Sequence, residues 1–407
     1  MRKFFLNVLL CITFLAITSK YVNGLKPVVI IPGTGGSRLE AKLNKPAVTH
    51  FYCSRTSDWY TLWLSIVQLI PLAINCWVDN IMLLWNQSTK EYSNNLGVTT
   101  RVPDSDGSTL NFEYLDPTIK YGDSDYFHTL VEAMVQAGGI RNVSIRGLPY
   151  DFRYAPSSAY SGTFLDKATS LVEETYEMNN QTKVTILSHS MGCLYGLWFL
   201  NQKNETWKSK YILRWIPTAG VFGGAGSGIK QVLSGDVSIV PIPGITGLTV
   251  REEQRSYESS MLLLPTPQAW GNYSLILTPN KNYSSFEYET LFEKSNFQHG
   301  FERYLLIANL TANLNSPNVD TIHLYGINKE TPTSFRYSSD NNFDEEPETI
   351  NGDGDDTVPL MSLQSAGLRW RDNNNNKVFY EKTYDGQTHT GILKNIEYTQ
   401  DIIQLLQ

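Results

Sequence analysis

The sequence predicts an α/β protein with a mostly parallel sheet, and three features carry that reading. Short β-branched runs recur along the chain, and Val28-Val29-Ile30-Ile31 and Val184-Thr185-Ile186-Leu187 are continuous, as strands covered on both faces must be. Stretches with helical spacing, Tyr126 to Ala137 and Phe164 to Asn179, alternate with them, and Val143-Ser144-Ile145 reads as a further short strand. The 407 residues exceed one minimal domain and suit either two domains or one elaborated α/β domain.

Composition narrows the function. A hydrophobic content of 41% excludes disordered, collagen-like and fibrous chains. The 33 basic residues against 40 acidic ones, a formal charge of −7, argue against a nucleic-acid partner that must be held through its phosphates. Aromatic residues make up 12% of the chain, which favours extensive apolar contact surface.

Element by element, the N-terminus comes first. Arg2 and Lys3 precede the apolar run Phe4 to Ile17, and small and polar residues follow to Gly24. This is the pattern of a secretory signal peptide over residues 1–24. Cleavage there would leave 30 basic against 40 acidic residues and the cysteines Cys53, Cys76 and Cys193. Asn-x-Ser/Thr sequons at Asn86, Asn142, Asn180, Asn204, Asn272, Asn282 and Asn309 agree with passage through the secretory pathway, with glycan on some of them.

The run Val28–Ile31 ends in Pro32-Gly33-Thr34-Gly35-Gly36, a strand feeding a Gly-rich loop. The loop lacks the Gly-Lys-Ser/Thr ending of a phosphate cradle and the spacing of a dinucleotide fingerprint. Residues 58–79 are the most apolar segment after the leader, with Trp63, Leu64, Leu69 and Ile70 among them. Gln68, Pro71 and Asn75 interrupt the segment, so a membrane span is disfavoured against a buried core helix and, ahead of both, an apolar loop or short amphipathic helix lying on a lipid surface. A Cys53–Cys76 disulfide would staple it, an effect worth about 3 kcal/mol for a loop of this length. Residues 222–248, rich in Gly and Pro without helical period, read as a mobile loop, and the polar, acidic stretch 337–356 as another.

The strongest chemical signal is Leu187-Ser188-His189-Ser190-Met191-Gly192. An apolar strand enters a serine flanked two residues either side by small residues, and a helical stretch, Cys193 to Asn201, follows. This is a nucleophile elbow in which Ser188 takes the place of the usual first Gly, and Ser190 is the candidate nucleophile. Of the six histidines, His389 in the loop Gly386-Gln387-Thr388-His389 fits the chain order Ser, Asp, His. His189 is the nucleophile's neighbour and points away from it. His323 sits in a strand-like run, and His50, His128 and His299 precede the expected acid or lie in helices. The acid belongs between Ser190 and His389, in Asp353-Gly354-Asp355-Asp356-Thr357-Val358, which offers three aspartates without choosing one. Val358 occupies the position where a calcium loop needs Gly, so that reading is rejected. The N–H of Met191, with that of Thr34 in the early Gly-rich loop, would form the oxyanion hole.

These stretches together resemble the lecithin–cholesterol acyltransferase family, most closely its lysosomal (group XV) phospholipase A2 branch. The resemblance rests on Pro32-Gly33 with Leu39 to Pro46, Cys76-Trp77-Val78-Asp79-Asn80, Pro149-Tyr150-Asp151-Phe152-Arg153, His189 to Gly192, Glu253-Gln254-Arg255-Ser256 and Asp353 to Val358, in colinear order. It implies an α/β-hydrolase core with a cap and lid and a small membrane-binding insertion. It also implies that an acyl chain is cleaved from a glycerophospholipid through an acyl-serine and passed to water or a lipid alcohol. By motif match Ser190 is the nucleophile, Asp355 the acid, His389 the base, and Thr34 and Met191 the oxyanion positions. Cys53 to Cys76 matches the disulfide-closed membrane-binding segment, Trp77 stands beside the acyl-chain entrance, and residues 234–257 match the lid.

The implied organisation is a leader over 1–24, the start of the core over 25–48 and the membrane-binding segment over 49–80. Core with cap elements then covers 81–233, the lid 234–257, a cap region 258–320, and the rest of the core 321–407. No cofactor or metal is called for, and a monomer acting peripherally at a phospholipid membrane, lysosomal or secreted, is expected. Thr34 stands where relatives carry Asp or Cys, Ala219-Gly220-Val221-Phe222 departs from the family's Gly-Ala-Pro-Trp, and Cys193 is expected as a buried free thiol. The competing readings are a non-catalytic lipid-binding protein with an inherited fold and a secreted esterase for soluble esters, against which the apolar 59–74 segment argues.

Overall fold

The computed structural model describes residues 24–105, 107–120, 122–158, 162–238, 243–372, 375 and 377–407. The leader expected over 1–24 lies outside the described residues except for Gly24. The two continuous apolar runs are neighbouring strands of a central sheet of six: β1 (Val28–Ile31), β2 (Ile145–Gly147), β3 (Val184–His189), β4 (Ile212–Thr218), β5 (Thr321–Ile327) and β6 (Phe379–Asp385). Their order is β6-β5-β4-β3-β1-β2 and every pairing is parallel.

A parallel sheet needs cover on both faces, and alternate residues of one strand go to different cores. Val29 and Ile31 join the larger core with Leu194, Leu197 and Phe199 of the helix Gly192–Asn201 and Phe164, Ala168 and Val172 of the helix Gly162–Met178. Val28 and Ile30 join the opposite core with Leu130 and Met134 of the helix His128–Gln136 and Ile402 and Leu406 of the helix Ile396–Leu406. At about 25 cal/mol per Å² of apolar surface removed from water, these two layers are the main source of the fold's stability.

The Cys53–Cys76 disulfide forms as the sequence predicts. The segment it closes is more regular than a loop. Tyr60–Trp63 pairs antiparallel with Leu39–Leu43, and the short helices Ile66–Leu69 and Ala73–Ile81 follow. Among the described residues no helix is long and apolar enough to cross a membrane.

Two loop assignments are corrected. Within 222–248, residues Gly226–Leu233 form a helix, and another, Gly247–Ser256, starts at its end. Ile229, Val232 and Leu233 carry the helical spacing on one buried face, so packing overrides the low propensity of Gly226 and Gly228. Within 337–356, Glu348–Gly354 is a strand paired antiparallel with Lys329–Arg336. Its mostly polar side chains hide the pattern from a hydrophobicity reading, and the neighbouring strand supplies the partners for its backbone.

Candidate active site

Ser190 follows the last residue of β3 with φ +58°, a conformation disfavoured for a side chain larger than glycine's. That turn lifts the serine off the C-terminal edge of the sheet, where ligands of open α/β sheets bind. The small neighbours are enforced by contact. A Cβ on Gly192 would stand 2.4 Å from the Pro32 carbonyl oxygen, and one on Gly33 would stand 2.6 Å from the Ser190 Cβ. Ser188, replacing the usual glycine, is accommodated because its hydroxyl accepts the Trp215 indole N–H at 2.9 Å and donates to Cys193 Sγ at 3.3 Å. Cys193 is a buried free thiol whose pKa burial pushes up to about 12.

The other predicted residues reach this edge from the far strands. Asp355 follows the strand Glu348–Gly354 and lies over the end of β5, where a Cβ on Gly326 would stand 3.3 Å from its Cβ. His389 lies in the loop after β6. Asp355 Oδ2 is 2.8 Å from His389 Nδ1, and Asp355 Oδ1 accepts the N–H groups of Val358 at 2.7 Å and Thr357 at 3.2 Å. Of the three aspartates the sequence offers, Asp355 is the one whose carboxylate meets the imidazole. Asp353 accepts the Asn328 N–H, and Asp356 accepts the Thr357 hydroxyl at 2.9 Å and faces the His389 N–H at 3.4 Å. Asp355 is fully buried and His389 nearly so. Burial alone lowers the His389 pKa, but the charge and hydrogen bond of Asp355, helped by Asp356, outweigh it and raise the pKa above the ordinary histidine value. The His389 and His189 ring centroids are 4.7 Å apart, which sets His389 beside the elbow.

Thr34 and Met191 are also in contact, the Thr34 hydroxyl donating to Met191 Sδ at 3.2 Å. Thr34 lines two cavities. One, the more polar of the two, is bounded by Ser190, Lys230, Ser227, Asp356 and Val221. The other is an apolar cleft lined by Ile245, Val250, Trp63, Leu69, Ile74 and Trp77. Val221 of the Ala219–Phe222 stretch therefore borders the cavity beside Ser190, while Phe222 packs into the core against Trp215 and Trp370.

The residues expected at a membrane divide into two sets. Leu64, Leu69 and Trp77 are buried and Trp63 is half-buried, so they face inward, and of these Trp63, Leu69 and Trp77 line the cleft. Ile70 is 46% exposed, and Val67 at 74% and Leu72 at 73% extend that outer face. The seven sequon asparagines, Asn86, Asn142, Asn180, Asn204, Asn272, Asn282 and Asn309, are all exposed. What sequence reasoning missed is Tyr126, which reaches the elbow from the helix side and carries no motif to betray it, and the use made of His189.

Comparison with known proteins shows the family to which the chain belongs. The family profile described as Lecithin:cholesterol acyltransferase matches residues 59–395. The chain belongs to that family. Among curated relatives, the "Lysosomal phospholipase A and acyltransferase" of Canis lupus familiaris is 37% identical over 371 residues, 91% of this chain and 88% of that protein. The human protein of the same description is 36% identical over 91% of this chain and 87% of its own length. The "Phosphatidylcholine-sterol acyltransferase" of Mus musculus is 35% identical over 86% of this chain and 78% of that protein. Among solved structures, a chain of the Tle4–Tli4 complex superposes with a TM-score of 0.56 at 12% identity, covering 94% of this family member and 99% of that chain, a likeness of fold alone.

Proposed function

We propose that this protein is a calcium-independent serine acyl hydrolase and O-acyltransferase that takes an acyl chain from a glycerophospholipid at a membrane surface. Membership of the family and the names of its relatives support acyl transfer or hydrolysis on phospholipids. The observation that carries the mechanism is the buried Asp355–His389 pair at the same sheet edge as the strained Ser190.

In this reading Nδ1 of His389 is fixed by Asp355, and Nε2 takes the Ser190 hydroxyl proton as Oγ attacks the ester carbonyl. The N–H groups of Thr34 and Met191 hold the developing oxyanion, each worth about 3–4 kcal/mol in the transition state. His389 returns the proton to the departing glycerol oxygen, leaving lysophospholipid and an acyl ester on Ser190. Water or a lipid alcohol then gives its proton to His389 and attacks that ester, and His389 passes the proton to the departing Ser190 Oγ, which restores the serine. Every group used belongs to the chain itself.

The apolar cleft from Thr34 to Trp77 suits an acyl chain, and the exposed Val67, Ile70 and Leu72 suit docking on lipid. The exposed sequons and the disulfide support a glycoprotein of the secretory pathway, lysosomal or secreted. The test is Ser190→Ala. It should abolish both phospholipid deacylation and labelling by a fluorophosphonate probe while liposome binding survives, and retained turnover refutes the reading.

A further inference from the structure

The nucleophile is preceded by a histidine that the acyl-transfer steps do not use, and both its ring nitrogens are committed. Nδ1 of His189 lies 2.6 Å from the Tyr126 hydroxyl, and Nε2 lies 2.9 Å from the main-chain carbonyl oxygen of His389. A carbonyl can only accept, so Nε2 carries the proton and Nδ1 is left as an acceptor. Tyr126 therefore donates its hydroxyl proton to Nδ1, while its oxygen accepts the Gly33 N–H at 2.9 Å. The bonds run in one direction, from Gly33 through Tyr126 and His189 to His389, and all four residues are buried.

The two ends of this chain are the two parts of the site that the sheet does not hold. Gly33 and His389 both lie in loops beyond the strand ladders. Gly33 immediately precedes Thr34 and packs so closely on Ser190 that a Cβ there would stand 2.6 Å from the Ser190 Cβ. His389 is held at its ring by Asp355 and at its N–H by Asp356, so the His189 bond to its carbonyl is a third point of attachment. Burial, reinforced by neighbouring His389, holds the His189 pKa well below the ordinary value. His189 thus stays neutral beside an imidazolium at position 389, and the bond persists through the proton transfer.

The geometry points to Tyr126 and His189 as positioning residues that fix the oxyanion loop and the general base relative to each other. The inference rests on the reading proposed above and deepens it. A displacement of the order of 1 Å between reacting groups costs up to about 100-fold in rate.

The experiment measures the rate of fluorophosphonate labelling, and kcat and KM on a soluble short-chain ester, for the full chain and for Tyr126→Phe, His189→Leu and His189→Gln. Tyr126→Phe and His189→Leu should slow labelling and lower kcat by about 10- to 100-fold with KM unchanged. His189→Gln, whose amide N–H can still donate to the His389 carbonyl while its amide oxygen accepts from Tyr126, should come back to within about threefold of the parent rate, since it keeps both hydrogen bonds. Where His189→Leu does not fold, Tyr126→Phe, which removes one oxygen atom, carries the test. Parental labelling by Tyr126→Phe, or a His189→Gln variant as slow as His189→Leu, overturns the inference. The outcome is separable from failure of the proposed function, which would appear as labelling that survives Ser190→Ala.

Discussion

The indole N–H of Trp63 donates to the carbonyl of Gly35 at 2.6 Å, joining the disulfide-closed segment to the turn that carries Thr34. Trp63 also packs against Trp77 and Phe152, at centroid distances of 6.0 and 5.7 Å, and so forms part of the cleft wall. One residue thus serves the turn through its N–H and the cleft through its ring.

These roles separate by substitution. Trp63→Phe removes the hydrogen bond and keeps an aromatic wall, a loss of about 1 kcal/mol. It should lower kcat/KM several-fold on long-chain phospholipid and on a short-chain ester alike. Trp63→Ala removes the wall as well, and its additional loss should fall on the long-chain substrate. Equal additional losses on both substrates would deny the ring a part in holding the chain.

The outward and inward residues of the same segment should also behave differently. Val67→Ser and Leu72→Ser remove exposed apolar groups and should each weaken liposome binding by about tenfold, in line with ~1.5 kcal/mol for an apolar side chain leaving water. Their turnover of a soluble ester should stay at the parental level. Leu69→Ser acts on a buried side chain in the cleft and should cost about 2–4 kcal/mol of stability. Co-sedimentation with phosphatidylcholine vesicles and denaturant titration separate the two effects.

That division was not legible in the sequence, and the reason is physical. Residues 59–74 are apolar nearly throughout, so they lack the periodicity that would tell Leu69 from Val67. The core strands Val28–Ile31 and Val184–His189 were legible because burial on both faces leaves a continuous apolar run. The elbow was legible because its steric demands fall on adjacent residues. The choice of Asp355 among three aspartates depends on a contact with a residue 34 positions away, which the resemblance could suggest and spacing could not. The strand Glu348–Gly354 and the Tyr126 hydroxyl escaped because what defines each is a tertiary partner, with no local pattern.

Glu253, in the wall of the apolar cleft, ties stability to pH. Burial pushes its pKa up to about 8, against hydrogen bonding with Tyr257 and the charge of Arg153. The folded state therefore holds a proton there that the unfolded chain releases near its ordinary pKa of about 4.5. This contribution to stability is fully present below pH 4.5 and is lost as pH rises through 8. Glu253→Gln should raise stability at pH 8 by about 2 kcal/mol or more, since each tenfold difference in proton affinity is worth roughly 1.4 kcal/mol, and change it little at pH 4.5. Melting curves of the two proteins at both pH values check this, and a pH-independent difference would contradict it.

The Asp355–His389 pair makes two linked predictions of its own. In the proposed mechanism His389 must be neutral to accept the serine proton, and its pKa is raised. Fluorophosphonate labelling should therefore rise with pH along a limb centred above the ordinary histidine value of about 6.5. In Asp355→Asn the carboxylate that raises the pKa is gone, so the limb should move to lower pH while the plateau falls by about 10⁴, the loss expected when the imidazole no longer has an anionic partner. Stability carries the opposite sign of pH. The imidazolium–carboxylate attraction contributes fully below the unfolded pKa of about 6.5 and is lost as pH rises through the folded value. Asp355→Asn should thus cost more stability at pH 5 than at pH 9. A labelling limb that stays in place in Asp355→Asn would mean that Asp355 does not set the protonation of His389.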